Sequence, residues 1–394
     1  MKKITCMGFK AAGVPAGLKK NGQKDLGLIF AEHPAQVAAV FTRNKVKAAP
    51  VHLSMDRIQQ GTCRAIIANS GNANCCTGEQ GMRDALAMTR AVALDLGIAE
   101  TDVLAASTGV IGAPLPVAKI ETAIPELTRA LTAEGFDDFA EAIMTTDTVP
   151  KIVHGEDQIH GSPYRIIGIA KGAGMIAPDM ATMLCFICTD ADIPHRGLKG
   201  LLSASVEKSL NRIVIDGDTS TNDVAFIMAS GTSSAKFEDA ESMHAFQNQL
   251  DHVLKTLAKM LVKDGEGVTK CVDVVIQGAA SEPQALAIAN TIATSPLVKT
   301  ALFGEDANWG RLIAAAGRSQ VPLEPEKIDI YFDDVRMVKN GLGCGTGAES
   351  LASDVLKKPE FTITMNLNCG TESASVLTCD FSIDYIKINA DYRS

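Results

Sequence analysis

The stretch KGAGMIAPDMATML, Lys171–Leu184, places two glycines, a Pro-Asp step and an Ala-Thr step directly before an apolar run. Glycine and Pro-Asp mark a turn. The flanking segments YRIIGIAKG and TMLCFICTD read as β-strands, so Lys171–Ala181 joins two strands. Thr182 admits two readings. It is an ordinary strand entrance, where threonine is at home, or it is a nucleophile on a tight elbow. A threonine hydroxyl needs a base beside it. Cleavage of the Ala181–Thr182 bond would supply one, because the new α-amine, with a pKa of about 8, can take the hydroxyl proton. That cleavage begins with the Thr182 hydroxyl attacking the Ala181 carbonyl, an N-to-O acyl shift suited to a small preceding residue and a strained turn. On these residues alone both readings stand.

The rest of the chain narrows the class. Its 394 residues are 46% hydrophobic and 21% charged, the composition of a globular protein with a sizeable core. A net charge of -9 leaves no excess of Lys and Arg to neutralise phosphates, which argues against a nucleic-acid partner. No apolar run reaches the length of a membrane span, and MKKITCMGFK makes a poor signal peptide. The expected compartment is the cytoplasm, with no membrane partner. Ten irregularly spaced cysteines read as reduced thiols rather than a disulfide framework. Cys185 and Cys188 form a CxxC inside a β-prone run, where they point to opposite faces, so they read as buried thiols and not zinc ligands. His154 and His160 flank a polar GEDQI turn and fit no metal motif. No metal is expected.

Strands and helices are mixed without regular βαβ alternation. RAIIANSG and VAFIMAS read as strands; a helix closes at Gly97, and others cover Val117–Ala133, Arg196–Leu210 and Glu241–Lys263. Beyond Lys270, CVDVVIQG, KIDIYFD, EFTITMNL and SVLTCDFS read as strands and EPQALAIANTIATS as a helix. DANWGRLIAAAG reads as a helix with Asp306 as N-cap and Gly317 as its stop. GLGCGTG, Gly341–Gly347, matches neither phosphate-loop pattern and reads as an inter-strand turn. The fold class is therefore α/β, with mixed, largely antiparallel sheets layered with helices. Residues 1–270 form one domain and 271–394 a smaller α+β domain.

Eight segments, in order, resemble the glutamate N-acetyltransferase/ornithine acetyltransferase family. They are NSGNANCCTG, STGVIGAPLP, MTTDTVPK, KGAGMIAPDMATML, DGDTSTND, DGEGVTK, FGEDANWGR and the terminal INADYRS, and they span nearly the whole chain. Two departures are small: Cys75 stands where Ala is expected after GNAN, and Asp179 where Asn is common. The resemblance implies an N-terminal-nucleophile-like, self-processing fold cut between Ala181 and Thr182 into an α chain, 1–181, and a β chain, 182–394. It implies that Thr182 is the nucleophile carrying the acetyl group and that Thr108 and Gly109 form the oxyanion hole. It also implies that Thr145, Lys171, Thr182, Glu266, Asn389 and Ser394 bind substrate, with the tail folding back over the site.

These residues suit ornithine, since Lys171 can answer an α-carboxylate and Glu266 an ammonium. The implied activity moves acetyl from N2-acetylornithine to glutamate in a ping-pong cycle of arginine biosynthesis, with no cofactor. Some members also accept acetyl-CoA as donor, and nothing in the sequence decides whether this one does. The implied assembly is a heterotetramer with two of each chain. An alternative is an N-terminal-nucleophile amidase or aminopeptidase, which passes the acyl group to water. Another is an uncleaved binding protein on the same scaffold.

Overall fold

A computed structural model describes residues 4–20, 22–177 and 183–391. Among these residues two sheets carry the fold. The first comprises β1 (Phe9–Val14), β2 (Leu26–Phe41), β3 (Thr62–Asn69), β4 (Val103–Ser107), β5 (Lys151–Ile159), β6 (Ser162–Lys171), β7 (Leu184–Thr189) and β8 (Val224–Ala229). Its order is β4-β3-β2-β8-β7-β6-β5, with β1 also on β2. The β3–β4 and β7–β8 pairs are parallel and the others antiparallel. The sheet is mixed and largely antiparallel, as the irregular alternation of elements predicts.

β7 and β8 are buried at every position, which explains their unbroken apolar runs. Cys185 and Ile187 face one side, against α5 (His195–Glu207) and α6 (Ala240–Lys263). Phe186 and Cys188 face the other, against Phe136 and Phe139 of α4 (Phe136–Ile143). The CxxC thiols thus lie on opposite faces of the sheet, both buried. At the β4 end, α1 (Ala49–Arg57), α2 (Gly78–Leu96) and α3 (Val117–Arg129) pack around Leu28, Ile67 and Ala105. α2 ends at Gly97 in a left-handed cap, where the sequence places its stop.

The second sheet contains β9 (Cys271–Ala279), β10 (Asp329–Phe332), β11 (Val335–Lys339), β12 (Leu342–Gly343), β13 (Glu360–Asn366) and β14 (Glu372–Cys379), in the order β12-β11-β10-β13-β9-β14. One face is covered by α7 (Glu282–Ala293), α8 (Pro296–Phe303), α9 (Trp309–Gly317) and α10 (Thr346–Leu356). Phe361, Ile363 and Met365 point inward at alternate positions of β13, the pattern of a sheet with one covered face. The tail forms α11 (Ile383–Asp391).

Three sequence expectations need correction. The N-cap of α9 is Asn308, whose side-chain oxygen accepts the Arg311 N–H at 3.1 Å. Asp306 instead accepts from the Asn308 amide, and Gly317 lies within the helix rather than past it. The GLGCGTG stretch is not only a turn: β12 ends in it and α10 begins at Thr346, with Ala352, Val355 and Leu356 buried. The polar GEDQI segment between His154 and His160 is no turn either. It is the outer half of β5, an edge strand on which Glu156, Asp157 and Gln158 are exposed while Ile159 turns into the core.

The seat of α6 on the sheet includes an aromatic cluster. Tyr164 meets Phe237 edge-on at 5.0 Å, and Phe246 lies 5.4 Å from Phe237. Phe246 is fully buried. Phe246→Ala should lower unfolding stability by about 3–5 kcal/mol, the range for truncating a buried Phe. A urea titration checks this, since the midpoint should fall while the slope stays unchanged.

Candidate active site

β6 ends at Lys171, β7 begins at Leu184, and the two strands are hydrogen-bonded neighbours. The connection between them is anchored at several points. Gly172 N–H donates to Asp147 Oδ1 at 2.7 Å, and Met175 N–H donates to Asp216 Oδ2 at 2.5 Å. The Ile176 carbonyl accepts from Ile215 N–H at 2.8 Å, and Met183 N–H donates to Asp223 Oδ1 at 2.8 Å. Ala181 and Thr182 lie outside the described residues, between these anchored ends. Ser394 also lies outside them.

An open cleft of about 600 Å³ adjoins this segment. Its wall brings together Thr108, Gly109, Thr145, Lys171, Glu266 and Asn389, residues far apart in sequence. Each is held for a local reason. Thr108 follows β4, and its backbone N–H is committed to the Asn69 carbonyl at 2.9 Å, so the hydroxyl is its group for the cleft. Lys171 Nζ donates to that hydroxyl at 3.4 Å. Gly109 has φ +129°, and a Cβ there would stand 2.4 Å from the Gly71 carbonyl carbon. Only glycine fits, which lets the chain turn Thr108 toward the cleft.

Glu266 comes just after α6, with its N–H on the Ala173 carbonyl at 2.8 Å. Its carboxylate lies where a side chain on Gly174 would be, 2.4 Å from the position of a Cβ. The Asn389 amide, on the tail helix, donates to Glu266 Oε2 at 2.8 Å and to the Tyr385 carbonyl at 3.1 Å. A terminal segment that composition marks as frayed is thus a helix that reaches the cleft.

The organising group was missed by the sequence reading. Asp147 is buried, and it accepts from Lys151 Nζ and Gly172 N–H, both at 2.7 Å, and from Thr145 N–H at 2.9 Å. Lys151 Nζ, fully buried, also donates to Asp264 Oδ2 at 2.5 Å. Burial alone would raise the Asp147 carboxyl. The ammonium groups of Lys171 and Lys151 outweigh that and bring it to about 2. Burial pushes the Lys171 amine down against the pull of Asp147; Lys151 adds to the fall, while Asp223 and Glu266 oppose it. Burial likewise raises Asp216, against hydrogen bonds from Met175 and Asp218 N–H. The one available signal for Asp147 was its i,i+4 spacing to Lys151 within MTTDTVPK.

Ser220, Thr221 and Asn222, from the DGDTSTND segment, complete the wall. The Asn222 amide donates to the carbonyls of Ala73 and Ser107, at 2.7 and 2.8 Å, and so holds the Thr108–Gly109 turn against the segment that faces it. Among the described residues no group of three or more His, Cys, Asp or Glu side chains is arranged to hold a metal ion. Nor is any single helix among them long and apolar enough to cross a membrane.

The arrangement suits an acyl-transfer enzyme, and comparison with known proteins places it further. The ArgJ family model matches residues 10–394. The arginine biosynthesis bifunctional protein ArgJ of Geobacter sulfurreducens is 50% identical over 98% of this chain and 99% of its own. The protein of the same name from Syntrophotalea carbinolica is 49% identical with the same coverage. A solved ornithine acetyltransferase from Mycobacterium tuberculosis, complexed with ornithine, is 40% identical over 45% of this chain and 92% of that chain, with a TM-score of 0.40. The chain belongs to the ArgJ family.

Removing the Asp147 charge tests the site's framework. Asp147→Asn should destabilise the fold by about 3–5 kcal/mol, because it takes the main counter-charge from buried Lys171 and leaves Lys151 with Asp264 alone. The pH dependence has a definite sign. A carboxyl held at about 2 in the folded chain, against about 3.9 unfolded, contributes stability that is complete above about pH 4 and is lost as pH falls toward 2. Denaturation midpoints from pH 2 to 6 should show this acid limb in the parent chain and a shallower one in the variant.

Proposed function

We propose that the chain is a self-cleaving acetyltransferase of arginine biosynthesis. It moves the acetyl group of N2-acetylornithine to glutamate through an acetyl-Thr182 intermediate. The observation that carries this reading is the convergence of Thr108, Lys171, Glu266 and Asn389 on one cleft beside the anchored start of the connection from β6 to β7. Relatives about half identical over nearly the whole chain bear the name arginine biosynthesis bifunctional protein, which supports it.

Cleavage at Ala181–Thr182 frees the Thr182 α-amine. That amine takes the hydroxyl proton as the oxygen attacks the acetyl carbonyl. The Thr108 hydroxyl, already accepting from Lys171, keeps its own hydrogen for the developing oxyanion, with the Gly109 turn as its partner. Collapse of the tetrahedral adduct breaks the C–N bond, and the departing ornithine nitrogen takes the proton. The glutamate amine then attacks the acetyl-threonine ester and leaves as N-acetylglutamate. Lys171 pairs with the α-carboxylate that both substrates share. Glu266, oriented by Asn389, receives the side-chain ammonium of ornithine. Thr145 and Ser394 complete the substrate contacts.

No cofactor enters this cycle. Acetyl-CoA is proposed as a second donor to the same threonine, in keeping with the word bifunctional in the relatives' name. Residues 1–270 and 271–394 act as catalytic and closing units. The cleaved chains assemble as two copies of each, in the cytoplasm.

An intact-mass spectrum should show two species, residues 1–181 and 182–394. Thr182→Ala should remain one chain and transfer no acetyl group, and spontaneous cleavage of that variant would overturn the assignment of the nucleophile. Thr108→Ala should lower kcat by about 10²-fold with little change in KM, as loss of a donor that acts in the transition state does. Release of acetate in place of N-acetylglutamate, with glutamate present, would point to a hydrolase instead.

A further inference from the structure

Behind the oxyanion turn lie two adjacent thiols. Cys75 and Cys76 have their sulfurs 3.8 Å apart; Cys75 is buried and Cys76 exposed. Asn74 and Cys76 both have positive φ, +47° and +57°, so the backbone folds sharply around the pair. Neighbouring residues have Cα atoms about 3.8 Å apart, whereas a disulfide prefers about 4.4–6.8 Å. Joining the two sulfurs directly is therefore disfavoured. An atom that bridges them is not. With bonds of about 2.3 Å to each sulfur, the length of a zinc–thiolate bond, one atom can span the 3.8 Å between the sulfurs.

The pair is wired to the catalytic wall. The Cys75 carbonyl accepts the Gly112 N–H at 2.9 Å, and Ala73 N–H donates to the Val110 carbonyl at 3.0 Å. Cys75 also contacts the Thr221 side chain, and both Thr221 and Ala73 line the cleft. A centre bound to Cys75 takes up the sulfur that faces Thr221 and adds bulk beside it, which disturbs the wall that holds Thr108 and Gly109.

We propose that Cys75 and Cys76 form a chelating site for a soft, thiophilic centre of the trivalent arsenical class, and that filling it suppresses acetyl transfer. Thiol sulfurs are soft ligands, and two on adjacent residues suit a centre that takes a pair of them. The step balances without an oxidant. An arsenoxide, R–As=O, forms two As–S bonds, and its oxygen leaves with the two thiol protons as one water. Cys76, being exposed, reacts first, and Cys75 closes the chelate.

The probe is phenylarsine oxide, added to the whole purified protein and followed by mass spectrometry under native conditions and by acetyl transfer. One equivalent should bind on residues 1–181, and transfer should fall at least 10-fold. A dithiol such as 2,3-dimercaptopropanol should restore it, and an equal concentration of a monothiol should not. Cys75→Ala should lose the adduct, and phenylarsine oxide should leave its transfer unchanged when measured against the variant's own untreated rate. Cys76→Ser should behave alike and serves as the second variant if the first folds poorly. An adduct of the same stoichiometry in both variants would place the arsenical elsewhere and overturn the site. Binding in the parent without loss of transfer would overturn the coupling to the wall. The adduct is read without reference to turnover, so failure of the acetyltransferase reading leaves the binding test intact.

Discussion

Asp147 sits between two buried lysines, and the cleft is assembled around that charge. A carboxylate removed from water is costly unless it is paired and hydrogen-bonded. Here it accepts Lys151 Nζ and the N–H groups of Thr145 and Gly172, with the Lys171 ammonium nearby. Those bonds tie the Thr145 turn, the start of β5 and the end of β6 to one point. Through Lys151 the tie extends to Asp264, two residues before Glu266. Each contact satisfies part of a buried charge, so the cluster favours one well-satisfied arrangement. That arrangement fixes Lys171 under Thr108 and Glu266 across the cleft.

The second sheet closes the site from the other side through its tail. Lys299 on α8 is fully buried; its ammonium donates to the Thr378 hydroxyl at 3.0 Å and lies 4.6 Å from the Phe381 ring centre. Phe381 stacks on Tyr385 at 4.8 Å, and Tyr385 begins the turn of α11 that carries Asn389 to Glu266. A cation–π contact in a dry environment is worth about 2 kcal/mol, enough to seat a helix that has no buried residues of its own. The position of Asn389 therefore depends on packing in the second sheet as well as on its own segment.

Much of this was legible along the chain, and the gaps have physical causes. The strands on either side of Lys171–Ala181 and the helix before Asp264 showed through apolar runs and helical spacing, because burial dictates both. β2 did not. Pro34 and the polar residues around it interrupt its pattern, and the ladder with β3 shifts register between Phe30 and Ala35, where a strand tolerates proline. α10 was hidden by its glycine-rich start. The cleft residues Thr108, Lys171 and Glu266 were named from motif resemblance, whereas Asp147 showed only its i,i+4 spacing to Lys151, since Gly172 and Lys171, which give it its role, lie some 25 residues away. Thr182 and Ser394, central to the sequence reading, fall outside the described residues.

The place of β7 and β8 in the first sheet has a consequence for how the protein must come together. Both strands follow the 172–183 connection in sequence, yet they lie in the interior of the sheet, between β2 and β6. A cut in that connection removes no ladder. The downstream half stays splinted on both flanks by hydrogen bonds to the upstream half, along β2–β8 and β6–β7. The two halves are interleaved rather than docked, and pulling them apart means unzipping the middle of a sheet. Made separately, the upstream half would present β2 and β6 as open edges, the kind that recruits foreign strands. Synthesis as one chain keeps those edges filled from the moment the sheet forms, so the strand order favours assembly from a continuous chain.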